Sequence, residues 1–347
     1  MRYKLLGHSG LRVSEICLGT MTFGNTWGDM GAEQDVCRAI YDAYRARGGN
    51  FLDTANKYTE GTSERIVGEL IGRERDRIVL ATKYTLSTTG DDPNASGNHR
   101  KNMVQAVEKS LKRLGTDYID LYWVHAWDFM TPTEEVMRGL DDLVRAGKIL
   151  YIGVSDTPAW VVSRANTMAE LRGWSRFIGL QIEYNLIERT VERELLPMAA
   201  ALDIAVTAWS PLAAGVLSGK HTQGGAVDTG RAQMASARLD ERSRAIVEVL
   251  TGLALELGRT PAQVALNWLR QGTYPVIPIV GARKLEQVVD NLGCLDFTLD
   301  AAALARLDAA SSVKLGFPHD FIHSEWVRKV ILGNEPDRID PRRGGGV

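Results

Sequence analysis

Three cysteines in 347 residues, Cys17, Cys37 and Cys294, are too few and too far apart for a disulfide framework, and their number is odd. No metal-ligand spacing runs through them either, and a reducing cytoplasm is the compartment expected of such a chain. Charge of one sign is missing too. The 41 Lys and Arg against 43 Asp and Glu leave a net charge of −2, so nothing pulls the chain toward nucleic acid or an anionic membrane. No apolar stretch reaches the roughly 20 residues that a membrane helix needs. The opening MRYKLLGHSG has no long apolar core and no small-residue cleavage site, so no signal peptide is expected. The chain lacks a His-x-His pair and clustered carboxylates of ligand type, so no metal is expected. It also lacks the G-x-G-x-x-G turn that an open doubly wound sheet normally carries after its first strand; that place holds GTMTFGN.

What is present is a repeat of short apolar runs and amphipathic stretches. The runs are 16–21 (ICLGTM), 51–55 (FLDTA), 78–84 (IVLATKY), 119–125 (IDLYWVH), 151–156 (YIGVSD), 179–185 (GLQIEYN), 204–210 (IAVTAWS) and 275–282 (PVIPIVGA). They are rich in Ile, Val, Leu and Tyr and read as buried parallel strands. Between them lie helical patterns such as NMVQAVEKSLKRLG, stopped by Gly115, and TPTEEVMRGLDDLVRAGK, stopped by Gly147. Strand and helix alternating eight times is the grammar of a (β/α)8 barrel, and residues 1–347 read as one such domain. Three segments depart from the repeat. Residues 3–14 read as a hairpin around His8-Ser9-Gly10 that caps the barrel bottom. Residues 212–238 are too long for an ordinary strand-to-helix loop, which marks them as a cofactor-gated lid. Residues 335–347 have nothing to bury and read as a mobile tail.

Four polar residues stand at or just beyond the ends of three of these runs: Asp53, Tyr58, Lys83 and His125. A parallel barrel brings its strand ends to one rim. There Tyr58 can protonate a carbonyl oxygen while a hydride arrives at carbon. A free tyrosine has a pKa near 10. The Lys83 cation would lower it, Asp53 would hold Lys83, and His125 would hydrogen-bond the substrate oxygen. Taken singly, each of the four reads as a surface residue at a strand end. Together they outline general acid catalysis.

The stretches LGTMTFG, FLDTANKYTEGTSERIVGEL, IVLATKY, SLKRLGTDYIDLYWVH, LVRAGKILYIGVSD, QIEYNLIER, AWSPLAAGVLSGK and IPIVGARKLEQVVDNL carry a resemblance across essentially the full length. The chain resembles an aldo-keto reductase, most of all the aryl-alcohol-dehydrogenase-like and potassium-channel β-subunit-like branch. The resemblance places the family's catalytic set on Asp53, Tyr58, Lys83 and His125. It implies NADP(H) as cofactor and a small-molecule carbonyl substrate, reduced to an alcohol. A redox-sensing regulatory subunit of the channel type is the alternative it leaves open. Oligomeric state is not legible.

The segment after the eighth run opens a helix, and helix N-termini present free N–H groups to phosphate. Arg283 is placed to fork onto a 2′-phosphate, and Gln287 and Asn291 follow on the same helix face. A plain surface helix is the competing reading. By resemblance these three residues hold the adenosine end of NADPH, with Gly281 and Ala282 beside them. Trp209 can stack on a nicotinamide ring, or be a core tryptophan. The resemblance further assigns Ser210, Pro211, Leu212, Gly215, Ser218 and Lys220 to the pyrophosphate loop. Ser155 and Gln181 fall to the carboxamide, and Gly19, Thr20, Met21 and Asp53 to further cofactor contacts. Many relatives carry Ser-Asn where this chain has Ser155-Asp156. An ionised Asp156 accepts but cannot donate. Trp27, Tyr84 and Trp127, with Tyr58 and His125, are expected to wall an aromatic substrate pocket. Trp123 shares the strand face of His125 and reads as barrel core.

Overall fold

The computed structural model describes residues 1–219, 235, 237–333, 335 and 338–340. Its chain opens with two antiparallel strands, β1 (Tyr3–Leu5) and β2 (Arg12–Ser14). Gly7 makes their turn at φ +54, where a β-carbon would sit 2.2 Å from the Ile178 carbonyl oxygen, so no other residue fits. Leu6 and Val13 pack onto Phe51, Val79 and Leu121, so the hairpin closes the barrel bottom as the sequence suggested.

Eight parallel strands close into a barrel: β3 (Cys17–Gly19), β4 (Phe51–Asp53), β5 (Val79–Tyr84), β6 (Ile119–Val124), β7 (Ile149–Ser155), β8 (Phe177–Glu183), β9 (Ala205–Trp209) and β10 (Val276–Gly281), with β10 paired to β3. Six of the expected runs overlap their strands closely. The runs at 151–156 and 179–185 are displaced, since β7 and β8 each begin two residues earlier, at Ile149 and Phe177. Three strands stop at a non-glycine residue in the left-handed region: Thr85 (φ 102), Asp156 (φ 42) and Ser210 (φ 50). Such a residue breaks the ladder and turns the chain across the rim. The strain it stores is typical of functional positions.

The outer layer includes α1 (Gln34–Ala46), α2 (Thr62–Ile71), α3 (Arg100–Leu114), α4 (Thr133–Arg145) and α5 (Ala159–Arg172). It continues through α6 (Leu195–Ala201), α7 (Glu241–Glu256), α8 (Pro261–Gln271), α9 (Leu285–Leu292) and α10 (Ala301–Ser311). Helix α3 ends at Gly115 in the left-handed conformation, and Gly147 (φ 72) follows α4, so both stop signals act as expected. His99 caps α3 by accepting from the Asn102 N–H. In α4, Val136, Met137, Leu140 and Leu143 are buried, which is one helical face against the strands.

Inside the barrel the largest side chain is Trp123. It fits because its neighbours on β7 and β8 are glycines. A β-carbon on Gly153 would lie 2.4 Å from the indole, and one on Gly179 would lie 2.8 Å from it. All three cysteines are free and buried. Among the described residues no helix is long and apolar enough to cross a membrane. Of the segment expected to form a lid, residues 220–234 and 236, Lys220 included, lie outside the described residues. So do 334, 336, 337 and 341–347 around the expected tail.

Candidate active site

The strand register places the polar run ends side by side: Gly19 opposite Asp53, Lys83 opposite Trp123, Ser155 opposite Gln181. Inward positions alternate along each strand, so Lys83 points into the barrel directly above Ala81. Its side chain is fully buried. Its Nζ donates to Asp53 Oδ2 at 2.5 Å, to the Thr54 carbonyl at 2.8 Å and to the Tyr58 hydroxyl at 3.2 Å. All three ammonium protons are thereby used. Asp53 is held from its other side, where Oδ1 accepts from Gln181 Nε2 at 3.1 Å.

Tyr58 reaches this group from a short turn, Tyr58–Gly61, in which Thr59 and Glu60 are left-handed. The Thr59 hydroxyl fixes the turn by donating to the Phe23 carbonyl at 2.7 Å and accepting from the Ser63 N–H at 2.9 Å. The rings of Tyr58 and His125 meet edge to face with centroids 5.9 Å apart. His125 lies just past β6, where its N–H bonds the Tyr84 carbonyl and the Thr85 hydroxyl.

Burial works against the Lys83 cation, yet Asp53 and Tyr58 outweigh it and the ammonium pKa rises. For Tyr58 the expectation of a lowered pKa is corrected. Desolvation is the largest influence and raises it, Lys83 pulls the other way, and Asp53 adds to the rise, so the net shift is upward. The phenol therefore keeps its proton at neutral pH. Burial, with a smaller contribution from Lys83, drives His125 down to about 3, so its ring is neutral. Its buried Nδ1 has no hydrogen-bond partner.

Ser155, Asp156, Gln181, Trp209, Ser210 and Leu212 all lie at the ends of β7, β8 and β9. Asp156 accepts from the Trp209 indole N–H at 3.0 Å, and its left-handed backbone suits an Asp or Asn. Burial lifts its carboxyl above the usual carboxylate range, with the Trp209 hydrogen bond and the Lys83 charge opposing the rise. Beyond Pro211, the loop carries further left-handed residues at Ala213, Ala214 and Gly215, and the Ser218 hydroxyl is tied back to the Gly215 carbonyl at 2.6 Å. Gly281 ends β10, and Arg283 follows at the start of α9. Gln287 Oε1 accepts from the backbone N–H groups of Arg283 and Lys284, so this oxygen orders the helix start. Met21 is exposed at the rim, Asn291 is buried, and Trp27 and Trp127 are half-buried on their loops.

Three expected contacts are corrected. Tyr84 is fully buried in the layer between strands and helices. It stacks on Tyr122 with centroids 5.3 Å apart, and its hydroxyl donates to the Asn98 carbonyl, so it does not wall the mouth. Thr20 presents no surface, because its N–H and hydroxyl both bond the Asp53 carbonyl. Ala282 is likewise fully buried, and its carbonyl accepts from the Thr22 hydroxyl.

The structure adds residues that the sequence did not single out. Asn98, fully buried, donates to the Thr85 hydroxyl at 3.0 Å and to the Ala126 carbonyl at 2.8 Å, and accepts from the Asp128 N–H at 2.8 Å. It clamps the loops after β5 and β6, which carry Thr85 and His125. Asn185 does the same for the loop after β9, donating to the Ser210 carbonyl at 3.0 Å. Asn98 is a lone Asn in a loop, and Asn185, the last residue of the GLQIEYN run, carries no local signal of its role. Chemically, the assembly offers a buried cation beneath a protonated phenol, a neutral imidazole N–H beside it, and an aromatic platform across the mouth.

The sequence model of the Aldo/keto reductase family matches residues 15–312. The chain is 38% identical over 327 residues to norsolorinic acid reductase of Aspergillus flavus, covering 92% of this chain and 83% of that one. It is 37% identical over 329 residues to aryl-alcohol dehydrogenase [NADP(+)] of Phanerodontia chrysosporium, covering 89% and 86%. It is 38% identical over 341 residues to norsolorinic acid reductase B of Dothistroma septosporum, covering 93% and 84%.

Proposed function

The chain belongs to the aldo/keto reductase family, and from that premise we propose that it reduces aromatic or other hydrophobic aldehydes and ketones with NADPH, using Tyr58 as the general acid. The observation that carries the reading is Lys83 Nζ bridging Asp53 at 2.5 Å and the Tyr58 hydroxyl at 3.2 Å. Lys83 donates into the phenol oxygen, which leaves the Tyr58 proton free to point outward.

The residues at the mouth fit a dinucleotide. Gln181 has given one N–H to Asp53 and keeps its second N–H as a donor and Oε1 as an acceptor. Asp156 accepts, Trp209 offers a flat face, and Arg283 sits where a helix start meets the rim. Bound NADPH supplies the hydride. A substrate carbonyl oxygen accepts from Tyr58 and from His125 Nε2. As hydride adds to carbon, the C=O electron pair moves to oxygen and takes the Tyr58 proton. The new phenolate then lies against the Lys83 cation. Lys83 lowers the Tyr58 pKa against the larger rise that burial causes, and the same charge stabilises the phenolate as it forms.

NADP rather than NAD is supported by Arg283, a bidentate donor suited to a 2′-phosphate, and by the relative whose name specifies NADP(+). An aromatic substrate class is supported by the relatives' names and by the half-buried Trp27, Trp127 and Trp209. The decisive experiment is Tyr58→Phe. Carbonyl reduction should fall by ~10²–10⁴-fold, while NADPH affinity measured by fluorescence titration stays within about twofold, because the phenol supplies a proton and little binding energy. A variant retaining half the turnover would sink the assignment.

A further inference from the structure

We infer that Asp156 tilts the cofactor site toward the oxidised nucleotide, holding NADP+ more tightly relative to NADPH than a neutral residue would. The inference rests on the functional reading above and concerns the same site. Its starting point is a charge count. The leading charged groups that act on the Tyr58 phenol are Lys83, then Asp53, then Asp156. Lys83 and Asp53 cancel as a contact pair at 2.5 Å. His125 is neutral. Neighbouring charges are also matched: Lys57 with Glu60 at 2.9 Å, and Arg238 with Glu183. Asp156 accepts the neutral Trp209 indole N–H, and among the described residues no Lys or Arg forms an ion pair with it. Above its raised pKa, Asp156 is therefore a carboxylate at the mouth that has no ion-pair partner among the described residues.

Chemistry fixes where that charge acts. A hydride donor must bring its carbon within about 3–3.5 Å of a carbonyl carbon whose oxygen touches Tyr58. Asp156 directly follows Ser155, which pairs with Gln181, and Gln181 in turn donates to Asp53 at 3.1 Å; Asp156 is also bonded to the aromatic platform Trp209 at 3.0 Å, so it stands on the rim that such a donor must reach. Loss of hydride, one proton and two electrons, turns a neutral dihydronicotinamide into a cation. An unpaired carboxylate attracts the cation and not the neutral ring. The phosphates are the same in both forms, so their contacts cancel in the ratio of affinities.

The test is the pair of dissociation constants, measured by calorimetry without turnover. Asp156→Asn removes the charge and keeps an acceptor oxygen for Trp209. The Kd for NADP+ should rise about tenfold while that for NADPH moves less than about twofold. Tenfold in the ratio corresponds to a rise of about 30 mV in the potential of the bound two-electron couple. Asp156→Ala, which removes the charge together with the hydrogen bond, must shift the ratio in the same direction. If both nucleotides change by the same factor in both variants, Asp156 acts through Trp209 alone and the inference is overturned. If the wild-type protein binds neither nucleotide, the functional reading fails and this inference fails with it.

Discussion

Replacing Lys83 by Met is the sharpest perturbation, because stability and catalysis respond to it for different reasons. Methionine keeps most of the apolar stem but removes three hydrogen bonds. Asp53, 2% exposed, is left as a buried carboxylate whose only remaining side-chain partner is the Gln181 amide. Removing one partner of a buried ion pair typically costs about 3–5 kcal/mol. The phenolate that forms on Tyr58 also loses its cation, so turnover should fall by ~10²–10⁴-fold. A second substitution separates the two effects. In the double variant Asp53→Asn, Lys83→Met the buried charge is gone, and the amide oxygen introduced in place of the carboxylate can still accept from Gln181. Urea denaturation should show the double variant recovering about 1–3 kcal/mol of the loss, the usual cost of an uncompensated buried group. Its turnover, followed through NADPH oxidation, should stay as low as that of the single variant. Equal stability of the single and double variants would refute the buried-pair argument. Recovery of turnover in the double variant would refute the role of Lys83 as counter-ion.

Three further outcomes follow from the geometry. Arg283→Ala should weaken NADPH by ~10–100-fold and leave NADH nearly unchanged; equal losses for both would show that Arg283 does not read the 2′-phosphate. The reduction rate should be level through neutral pH and fall only beyond the ordinary tyrosine value of about 10, because the Tyr58 pKa is raised and its acid form persists. No inflection near the ordinary imidazole pKa of about 6.5 should appear, since His125 titrates at about 3; an inflection there that vanishes in His125→Gln would contradict the neutral ring. Gly153→Ala should cost about 1–3 kcal/mol in urea denaturation by overpacking, because its methyl would meet the Trp123 ring at 2.4 Å; an unchanged midpoint would mean that the indole can move aside.

Much of the site was legible because parallel topology does the assembling. Asp53, Lys83 and His125 each stand at or near the end of an apolar run, and any barrel built from those runs brings the ends to one rim. Tyr58 needed one step more, a turn that carries it back over Lys83. That turn depends on left-handed Thr59 and Glu60, which no propensity scale favours. Side-chain direction was harder. Strand β5 is buried on both faces, so its sequence has no polar alternation to say which residues point inward. Once Lys83 points inward, Tyr84 must point outward by the two-residue period, so it stacks on Tyr122 in the buried layer and does not wall the mouth.

What the sequence determined by itself was the alternation of strand and helix, the helix stops at Gly115 and Gly147, the closing hairpin, and the residue types at the strand ends. All of these are local: propensity, period and backbone conformation. Tertiary structure decided the rest. The sign of the Tyr58 shift is a contest between desolvation and the Lys83 charge, and only depth and distance settle it. Asn98 binds Asp128, 30 residues away, and Asn185 binds Ser210, 25 residues away. Among the described residues Asp156 has no ion-pair partner, because the neighbouring charges find theirs elsewhere in the folded chain. Such facts depend on which groups share a small, poorly hydrated space, and the order of residues along a chain does not contain that until the barrel closes.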